Sequence, residues 1–326
     1  MNTSTTHFTS RSAPLSAGFL RRYKVLLLVL PLLLALILIG CGSGSGNSDS
    51  ATATPAVKIG SKDFTENLIL GELYAIALED HGIPVQRRLG LASSVVHETL
   101  LKGDVDLYPE YTGTGLLTVL KLPLETDPQK VYDTVKQHYA EQFDVTWLAA
   151  APANDGQGLV VTRKAADIYA ISNISELQRA AHKLRFASQG EFDVREDALP
   201  RLEEVYDSFD FLSSDVYDNA LKYDVLRSGK ADAAPAYTTE GQLTDPAFVL
   251  LPDDKQAWPP YNIAPVIRND ALAAYPQIAA LLDAISADLT TEAVTKLNAQ
   301  VDVEGREYTD VAREYYESIK AKLPAK

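Results

Sequence analysis

Cysteine is almost absent from this chain, which has 326 residues and a single cysteine, Cys41. That count excludes a disulfide framework within the chain and any zinc site built from several cysteines. Histidine is also scarce, and the five histidines show no His-Glu-x-x-His metal-binding spacing. Basic residues are outnumbered, with 30 Lys and Arg against 44 Asp and Glu and a net charge of −14. Because a protein that binds nucleic-acid phosphates usually carries a net positive charge, we expect no nucleic-acid partner. We also expect no metal ion or other cofactor.

The composition is that of a folded, globular protein. Hydrophobic residues make up 46% of the chain and charged residues 23%, values typical of globular domains rather than of disordered or multi-span membrane chains. At roughly 150 residues per domain, the length predicts about two domains.

The N-terminal region has the pattern of a secretory signal. Arg21, Arg22 and Lys24 precede the apolar run 25–39, which at 15 residues is short for a membrane-spanning helix. The run ends in Leu-Ile-Gly before Cys41, which resembles a bacterial lipobox. We therefore predict cleavage before Cys41 and lipidation of that cysteine. The alternative is an uncleaved N-terminal anchor helix.

These features predict the organisation of the first part of the chain and its location. Residues 1–40 are interpreted as a lipoprotein signal peptide with an N-terminal extension. Residues 41–56, which begin with a Gly/Ser-rich stretch, are interpreted as a flexible tether. Both the cleaved and the uncleaved form would place the rest of the protein outside the cytoplasm, anchored to the bacterial cell membrane.

From residue 57 onward, apolar periodicity predicts alternating strands and helices, which indicates α/β layers around largely parallel sheets. The predicted strands are 57–60, 85–89, 104–108, 145–149, 159–162, 184–187, 231–236 and 263–267. The predicted helices are 64–80, 93–102, 127–143, 175–180, 215–227, 275–289, 291–299 and 309–322.

Ligands of such folds bind where strands run into loops, and three predicted loops of this kind carry tyrosines. Tyr111, Tyr237 and Tyr261 could together form an aromatic cage for a quaternary ammonium group, which has no N–H to donate and is attracted to ring faces. The alternative is ordinary packing of these rings. Glu191 and Arg195 are four residues apart, a spacing that suits either a helical ion pair or an arginine that binds a ligand carboxylate.

Several motifs resemble one protein family. They are Ile-Gly-Ser-Lys-Asp-Phe-Thr-Glu (59–66), Tyr-Pro-Glu-Tyr-Thr-Gly-Thr (108–114), Ser-Gly-Lys-Ala-Asp (228–232) with Ala-Tyr-Thr-Thr-Glu (236–240), and Asp-Asp-Lys-Gln (253–256) with Pro-Pro-Tyr (259–261). Their order and spacing resemble the glycine betaine/carnitine/choline (osmoprotectant, quaternary ammonium) substrate-binding lipoproteins of ABC importers, from residue 57 to the C-terminus.

The resemblance implies a two-lobed type II periplasmic-binding-protein fold, an α/β fold with mixed, mostly parallel sheets and hinge-linked lobes. It places the first part of lobe I at 57–152, lobe II at 153–258 and the second part of lobe I at 259–326. It also implies that the protein is a monomer that closes on a small quaternary ammonium solute and delivers it to ABC permease subunits in the membrane.

The resemblance also implies a set of ligand-binding residues in the cleft between the lobes. Tyr111, Tyr237 and Tyr261 match cage positions, and Gln157 falls where several members have a fourth tyrosine. Asp155 matches an acidic residue beside the cation, and Glu191 a neighbouring cleft position. The positions that hold a ligand carboxylate in betaine binders correspond to Lys62, Thr114 and Arg195.

Two other functions stay open at this point. A receptor of the same fold could bind a different zwitterionic solute, such as ergothioneine, an amino acid or a polyamine. An extracellular hydrolase would need a nucleophile–base pair or a metal cluster, and we find neither in the sequence. We therefore expect a binding protein and not an enzyme.

Overall fold

The computed structural model describes residues 55–195 and 197–325, so the predicted signal peptide and the predicted lipidation site Cys41 lie outside the described residues. The strands are β1 Val57–Lys62, β2 Val85–Leu91, β3 Leu107–Tyr111, β4 Val145–Trp147, β5 Gln157–Thr162, β6 Arg185–Ser188, β7 Ser213–Val216, β8 Ala233–Tyr237, β9 Phe248–Leu251 and β10 Ile263–Arg268. The α-helices are α1 Thr65–Asp80, α2 Val96–Leu101, α3 Thr112–Thr114, α4 Pro128–Phe143, α5 Arg163–Tyr169, α6 Ile174–Ala180, α7 Gly190–Val194, α8 Leu199–Tyr206, α9 Lys222–Arg227, α10 Asn269–Ala274, α11 Gln277–Asp288, α12 Thr291–Asp302 and α13 Tyr308–Ile319.

The strands form two five-stranded sheets of equivalent order, β2-β1-β3-β10-β4 and β7-β6-β8-β5-β9. In the first sheet β1 pairs in parallel with β2 and β3, whereas β10 pairs antiparallel with β3 and β4. In the second sheet β6 pairs in parallel with β7 and β8, whereas β5 pairs antiparallel with β8 and β9. The predicted α/β class with mixed sheets is confirmed. The sheets are not mostly parallel as expected, because β10 and β5 each run antiparallel to both of their neighbours, so antiparallel pairings are as frequent as parallel ones among the described strands.

Each sheet is covered by apolar side chains on both faces, so each forms the centre of its own hydrophobic core. We call the unit around the first sheet lobe I and the unit around the second sheet lobe II. Helix α1 lies deepest in lobe I, where Leu70, Leu73, Tyr74 and Leu78 are each at most 1% exposed. A helix that is buried on nearly all sides needs partners all round, and α1 packs against β1, β2, α12 and α13.

The chain passes between the sheets twice, after β4 and after β9. The two connecting segments run side by side, because Asn154 and Asn262 form an antiparallel bridge. The Tyr261 backbone N–H donates to Asn154 Oδ1 at 2.6 Å, and the Asp155 N–H donates to the Tyr261 carbonyl at 3.1 Å. This pairing fixes Asp155 and Tyr261 next to each other between the lobes. The predicted lobe boundaries at 153 and 258 fall within these segments and stay a proposal.

The helix predicted at 215–227 is wrong at its start. Residues 213–216 form β7, residues 219–221 form a 3₁₀ turn, and the α-helix begins only at Lys222. The sequence of β7, Ser-Ser-Asp-Val, is polar because this strand lies at the edge of its sheet and is largely exposed. Apolar periodicity therefore gives no signal for it.

Candidate ligand-binding cleft

A cavity of about 870 Å³ opens between the two lobes. Residues from both lobes and from the connecting segments line it. The nine residues predicted to bind ligand are all among them, namely Lys62, Tyr111, Thr114, Asp155, Gln157, Glu191, Arg195, Tyr237 and Tyr261. The structure therefore brings together residues up to 199 positions apart in the chain. Their roles in binding stay predictions.

The three predicted cage tyrosines differ in exposure and in the residues they pack against. Tyr111 ends β3 and is 3% exposed, whereas Tyr237 ends β8 and is 40% exposed. Tyr261 stands on the second connecting segment and packs directly on Gly113, where a Cβ atom would lie only 2.7 Å from its ring carbons. The glycine of the Tyr-Thr-Gly-Thr motif thus makes room for the Tyr261 ring.

Two carboxylates line the cleft without an ion-pair partner among the described residues, the buried Glu66, which is 3% exposed, and the half-buried Asp155. Tyr111 Oη donates to Glu66 Oε1 at 2.9 Å, and Asn298 Nδ2 donates to Glu66 Oε2 at 3.0 Å. Thr239 Oγ1 donates to Asp155 Oδ1 at 2.7 Å and also lies within hydrogen-bonding reach of Glu66. All of these donors are neutral, so none of them supplies a positive charge to balance an ionised carboxylate here.

Their surroundings shift the protonation of both carboxyl groups. Burial raises the pKa of Glu66, although hydrogen bonds from Thr239, Asn298 and Tyr111 oppose the shift. Burial also raises the pKa of Asp155 well above its usual range, and the neighbouring Glu66 carboxylate adds to that shift. A buried carboxylate near a second one is stabilised in its charged form by a cation. The cleft is thus suited to a positively charged ligand.

The cationic side chains that line the cavity already have acidic partners. Lys62 Nζ lies 2.5 Å from Glu110 Oε1, and both side chains are almost fully buried. Lys222 pairs with Glu240, and burial lowers the pKa of Lys222. The third cation, the Arg195 guanidinium, also has an acidic partner, Asp197.

Arg195 pairs with Asp197, through Nε to Oδ1 at 3.0 Å and Nη2 to Oδ2 at 2.7 Å. The helical ion pair with Glu191, one of the two alternatives for this spacing, is not formed. The Arg195 side chain is 45% exposed, so it can still reach a ligand carboxylate. Glu191 and Arg195 also border a side recess of about 40 Å³ beside the main cavity.

Lys62 has a structural partner that the sequence did not reveal. Besides the ion pair with Glu110, its Nζ lies 4.7 Å from the centre of the Tyr111 ring. Lys62 therefore packs against one of the three predicted cage tyrosines. Its predicted contact with a ligand carboxylate would have to compete with Glu110.

Gln157, which the family resemblance predicts to stand in place of a fourth ring, is held by Asp197. Its Nε2 donates to the Asp197 carbonyl at 2.6 Å and to Asp197 Oδ2 at 3.1 Å. Asp197 thus fixes Gln157 and Arg195 together. The predicted cage would have a polar amide on this side.

Sequence reasoning missed three residues that shape the cleft. Glu66, in the first turn of α1, and Thr239, two residues after β8, both belong to the motifs named above, but the sequence indicated no role for either. Asn298 lies on α12, whose periodicity predicts only core packing. Its Nδ2 donates to Glu66 and, at 2.8 Å, to the Thr239 carbonyl of lobe II, so it links the two lobes.

A two-lobed α/β architecture with a polar cleft at the crossing of the chain defines the class of periplasmic binding proteins. A solved structure described as a glycine betaine/carnitine/choline ABC transporter superposes with a TM-score of 0.77 at 26% identity, covering 82% of this chain and 99% of that one. Apo YehZ from Escherichia coli superposes with a TM-score of 0.70 at 32% identity, covering 82% and 99%.

The family model for the substrate-binding domain of ABC-type glycine betaine transport systems matches residues 55–318, so the chain belongs to that family. Glycine betaine-binding protein YehZ of E. coli (strain K12) is 32% identical over 274 residues, which cover 79% of this chain and 89% of that protein. The ergothioneine transport permease/ergothioneine binding protein EgtU of Helicobacter pylori (strain G27) is 33% identical over 264 residues, or 80% of this chain. The chain spans about half of that relative's length, 47%.

Members of this family are extracytoplasmic solute-binding proteins of ABC importers. Within residues 55–195 and 197–325, no helix has the length and apolarity needed to cross a bilayer. The same part of the chain has no cluster of side chains suited to a metal ion.

Proposed function

We propose that this protein is a lipid-anchored substrate-binding protein that binds a quaternary ammonium osmoprotectant of the glycine betaine, choline or carnitine type between its lobes. One observation carries the proposal. Three tyrosines and two carboxylates without ion-pair partners line the same cleft, while the cations that line it are paired. The ligand would bring the positive charge that the site lacks.

Aromatic rings suit this ligand because a fully methylated ammonium cannot donate a hydrogen bond. Each ring face contributes roughly 0.5–2 kcal/mol to binding such a cation once water is excluded. Asp155 would stand beside the cation, and Arg195 with Thr114 would hold a carboxylate at the other end. Lobe closure about the connecting segments would then bury the ligand and present the closed form to the permease subunits.

The lipid on Cys41 would keep the protein, as a monomer, close to that permease. The tether of residues 41–56 is rich in Gly and Ser at its start, which gives it the reach of a flexible chain.

A second candidate is a receptor of the same fold for another solute, either a zwitterion such as ergothioneine or an amino acid, or a polyamine. It is favoured by Gln157, whose amide replaces a ring face with a hydrogen-bonding group, and by the likeness to the ergothioneine-binding relative.

Calorimetric titration of the purified protein distinguishes these candidates. The panel is glycine betaine, proline betaine, carnitine, choline, ergothioneine and unmethylated glycine. We expect binding of at least one of glycine betaine, proline betaine, carnitine and choline, and none of glycine. Binding of ergothioneine alone would favour the second candidate, failure of all five methylated compounds would overturn the proposal, and strong binding of glycine would show that the rings do not select methylation.

Replacing Tyr237 with alanine should weaken binding of the preferred compound about tenfold, because one ring face is lost. Thermal stability of the empty protein should change little, since Tyr237 is already 40% exposed. Tyr169→Ala is the matched control, because Tyr169 is 37% exposed and lies outside the cleft. A large loss of stability in Tyr237→Ala with unchanged affinity would instead mean that this ring is ordinary packing.

Affinity for a cationic ligand should rise with pH. Burial raises the pKa of Asp155 in the empty cleft, with Glu66 adding to the shift, so its carboxyl group stays neutral to higher pH. A bound cation favours the ionised form, so the complex holds fewer protons than the empty protein, and affinity increases as pH rises between the two pKa values. Titrations in buffers of different ionisation enthalpy should show proton release on binding. Asp155→Asn should abolish that release, and an affinity that falls with pH would contradict the assignment.

A further inference from the structure

Phe64 is an exposed aromatic residue in the wall of the cleft, on the side of lobe I. It directly precedes helix α1 and is 37% exposed. Among the large hydrophobic side chains of the described residues that are at least as exposed as Phe64, only Phe64 itself and Tyr237 line the cleft. Tyr237 belongs to lobe II. Each lobe therefore presents one exposed ring to the cavity.

Neither helix capping nor core packing explains a phenylalanine at this position. Phe64 is the N-cap of α1, and its side chain makes no capping hydrogen bond to the described part of the chain. An N-cap favours Ser, Thr, Asp or Asn, whose side-chain oxygen accepts from the first backbone N–H groups of the helix. An exposed apolar ring also forgoes the burial that stabilises such side chains elsewhere. Residues that break local rules in this way are expected at functional sites.

The neighbouring Tyr111 presents almost none of its own ring to the cavity. The centre of the Tyr111 ring lies 6.1 Å from that of Phe64, with the two ring planes 30° apart. Tyr111 is only 3% exposed, and its hydroxyl is engaged by Glu66 and Asn67. The ammonium of Lys62 already lies 4.7 Å from the centre of the Tyr111 ring. Because a ligand contacts accessible surface only, the ring available to it on this side of the cleft is that of Phe64.

We propose that Phe64 is the lobe I ring that contacts the ammonium group of the ligand, in the role that the family resemblance gives to Tyr111. Phe64 and Tyr237 would then contact the cation from the two lobes, one ring from each. The inference rests on the proposed function, because it assumes that a quaternary ammonium compound occupies the cleft. A phenylalanine suits this contact, since its ring face attracts the charge of a fully methylated ammonium, which has no N–H to donate to a polar group.

Two variants at this position separate the effect of the ring from that of its bulk. Phe64→Leu keeps a large apolar side chain but has no ring, whereas Phe64→Tyr keeps the ring. The purified proteins are titrated calorimetrically with glycine betaine, proline betaine, carnitine and choline. For each of these compounds that the parent protein binds, Phe64→Leu should weaken binding roughly fivefold to thirtyfold. Phe64→Tyr should stay within about twofold of the parent protein.

A third variant tests the electrostatics of the ring at nearly constant shape. A trifluorinated phenylalanine introduced at position 64 keeps the ring, while its fluorines withdraw electron density from the ring face. Because a cation is attracted to the negative face of an aromatic ring, affinity should fall nearly as far as in Phe64→Leu. Circular dichroism checks that each variant is folded, and the trifluorinated variant decides the question if Phe64→Leu is not.

Tyr169→Leu is the matched control. Tyr169 is also 37% exposed, but it lies outside the cleft, so this change should leave the affinity unaltered. A folded Phe64→Leu or trifluorinated variant that binds as tightly as the parent protein overturns the inference, as does a Phe64→Tyr variant that loses as much affinity as Phe64→Leu. Each of these results leaves the proposed function standing. If the parent protein binds none of the four compounds, the proposed function fails and the inference fails with it.

Discussion

Replacing Lys62 with methionine should destabilise the protein by about 3–5 kcal/mol, because the change leaves a buried carboxylate without its cation. Glu110 is 1% exposed and, among the described residues, keeps two neutral donors, Tyr108 Oη at 2.9 Å and the Tyr111 N–H at 2.8 Å. These donors do not replace a positive charge 2.5 Å away. Urea unfolding of the purified protein, followed by circular dichroism, measures the loss.

The double variant Lys62→Met with Glu110→Gln is the control for this effect. It removes both charges, so most of the lost stability should return. A Lys62→Met protein that keeps its stability but loses ligand affinity would show instead that this lysine serves the ligand carboxylate, as the family resemblance implies.

Gly241→Ala should weaken ligand binding by roughly fivefold to 150-fold, which corresponds to the usual overpacking cost of about 1–3 kcal/mol. Gly241 follows β8 in lobe II and meets helix α12 of lobe I with no side chain between them. A Cβ atom there would lie 2.5 Å from the Ala299 backbone nitrogen and 2.6 Å from its Cα. Because the backbone of helix α12 cannot move aside, the added methyl group would push the two lobes apart. The protein with the wider cleft would bind the ligand with lower affinity. Titration with the preferred ligand measures the change.

Gly190→Ala is the matched control for this substitution. Gly190 also belongs to lobe II, but its added Cβ would meet only a Val216 methyl at 3.8 Å, an ordinary contact. Its affinity should stay within about twofold of the parent protein. Unchanged affinity in Gly241→Ala, together with unchanged stability, would show that the contact between Gly241 and α12 accommodates a methyl group.

Helices and strands that are marked by local sequence signals could be predicted from the sequence. The helix expected at 127–143 is α4, which begins at Pro128 after Asp127, whose side chain accepts from the Lys130 N–H at 2.9 Å. Strand β9, by contrast, was missed, because Phe248–Leu251 is a short apolar run whose state is decided by its pairing with β5. Helix α8 was missed as well, since only Leu202 and Tyr206 of its eight residues are buried.

The candidate site likewise contains some residues that local sequence predicts and others that it does not. Tyr111, Tyr237 and Tyr261 stand in motifs that a reader of the sequence can find. Asn298 could not be found, because its place in the cleft depends on α12 packing against the other lobe, and no local pattern records a contact between lobes. Glu66 belongs to a motif, yet its importance follows from Asp155 lying beside it, and the two are 89 positions apart.

The position of β10 determines the order in which the lobes can be completed during synthesis. All strands of lobe II lie within residues 157–251, so that lobe can assemble as soon as its own stretch of chain has emerged. Lobe I must wait for β10, which fills the gap between β3 and β4. Until then both strands expose unpaired edges, which are sites of aggregation. A chain stalled or cut before residue 263 would thus carry a finished lobe II on an unfinished lobe I, and such fragments should be the ones that need a chaperone.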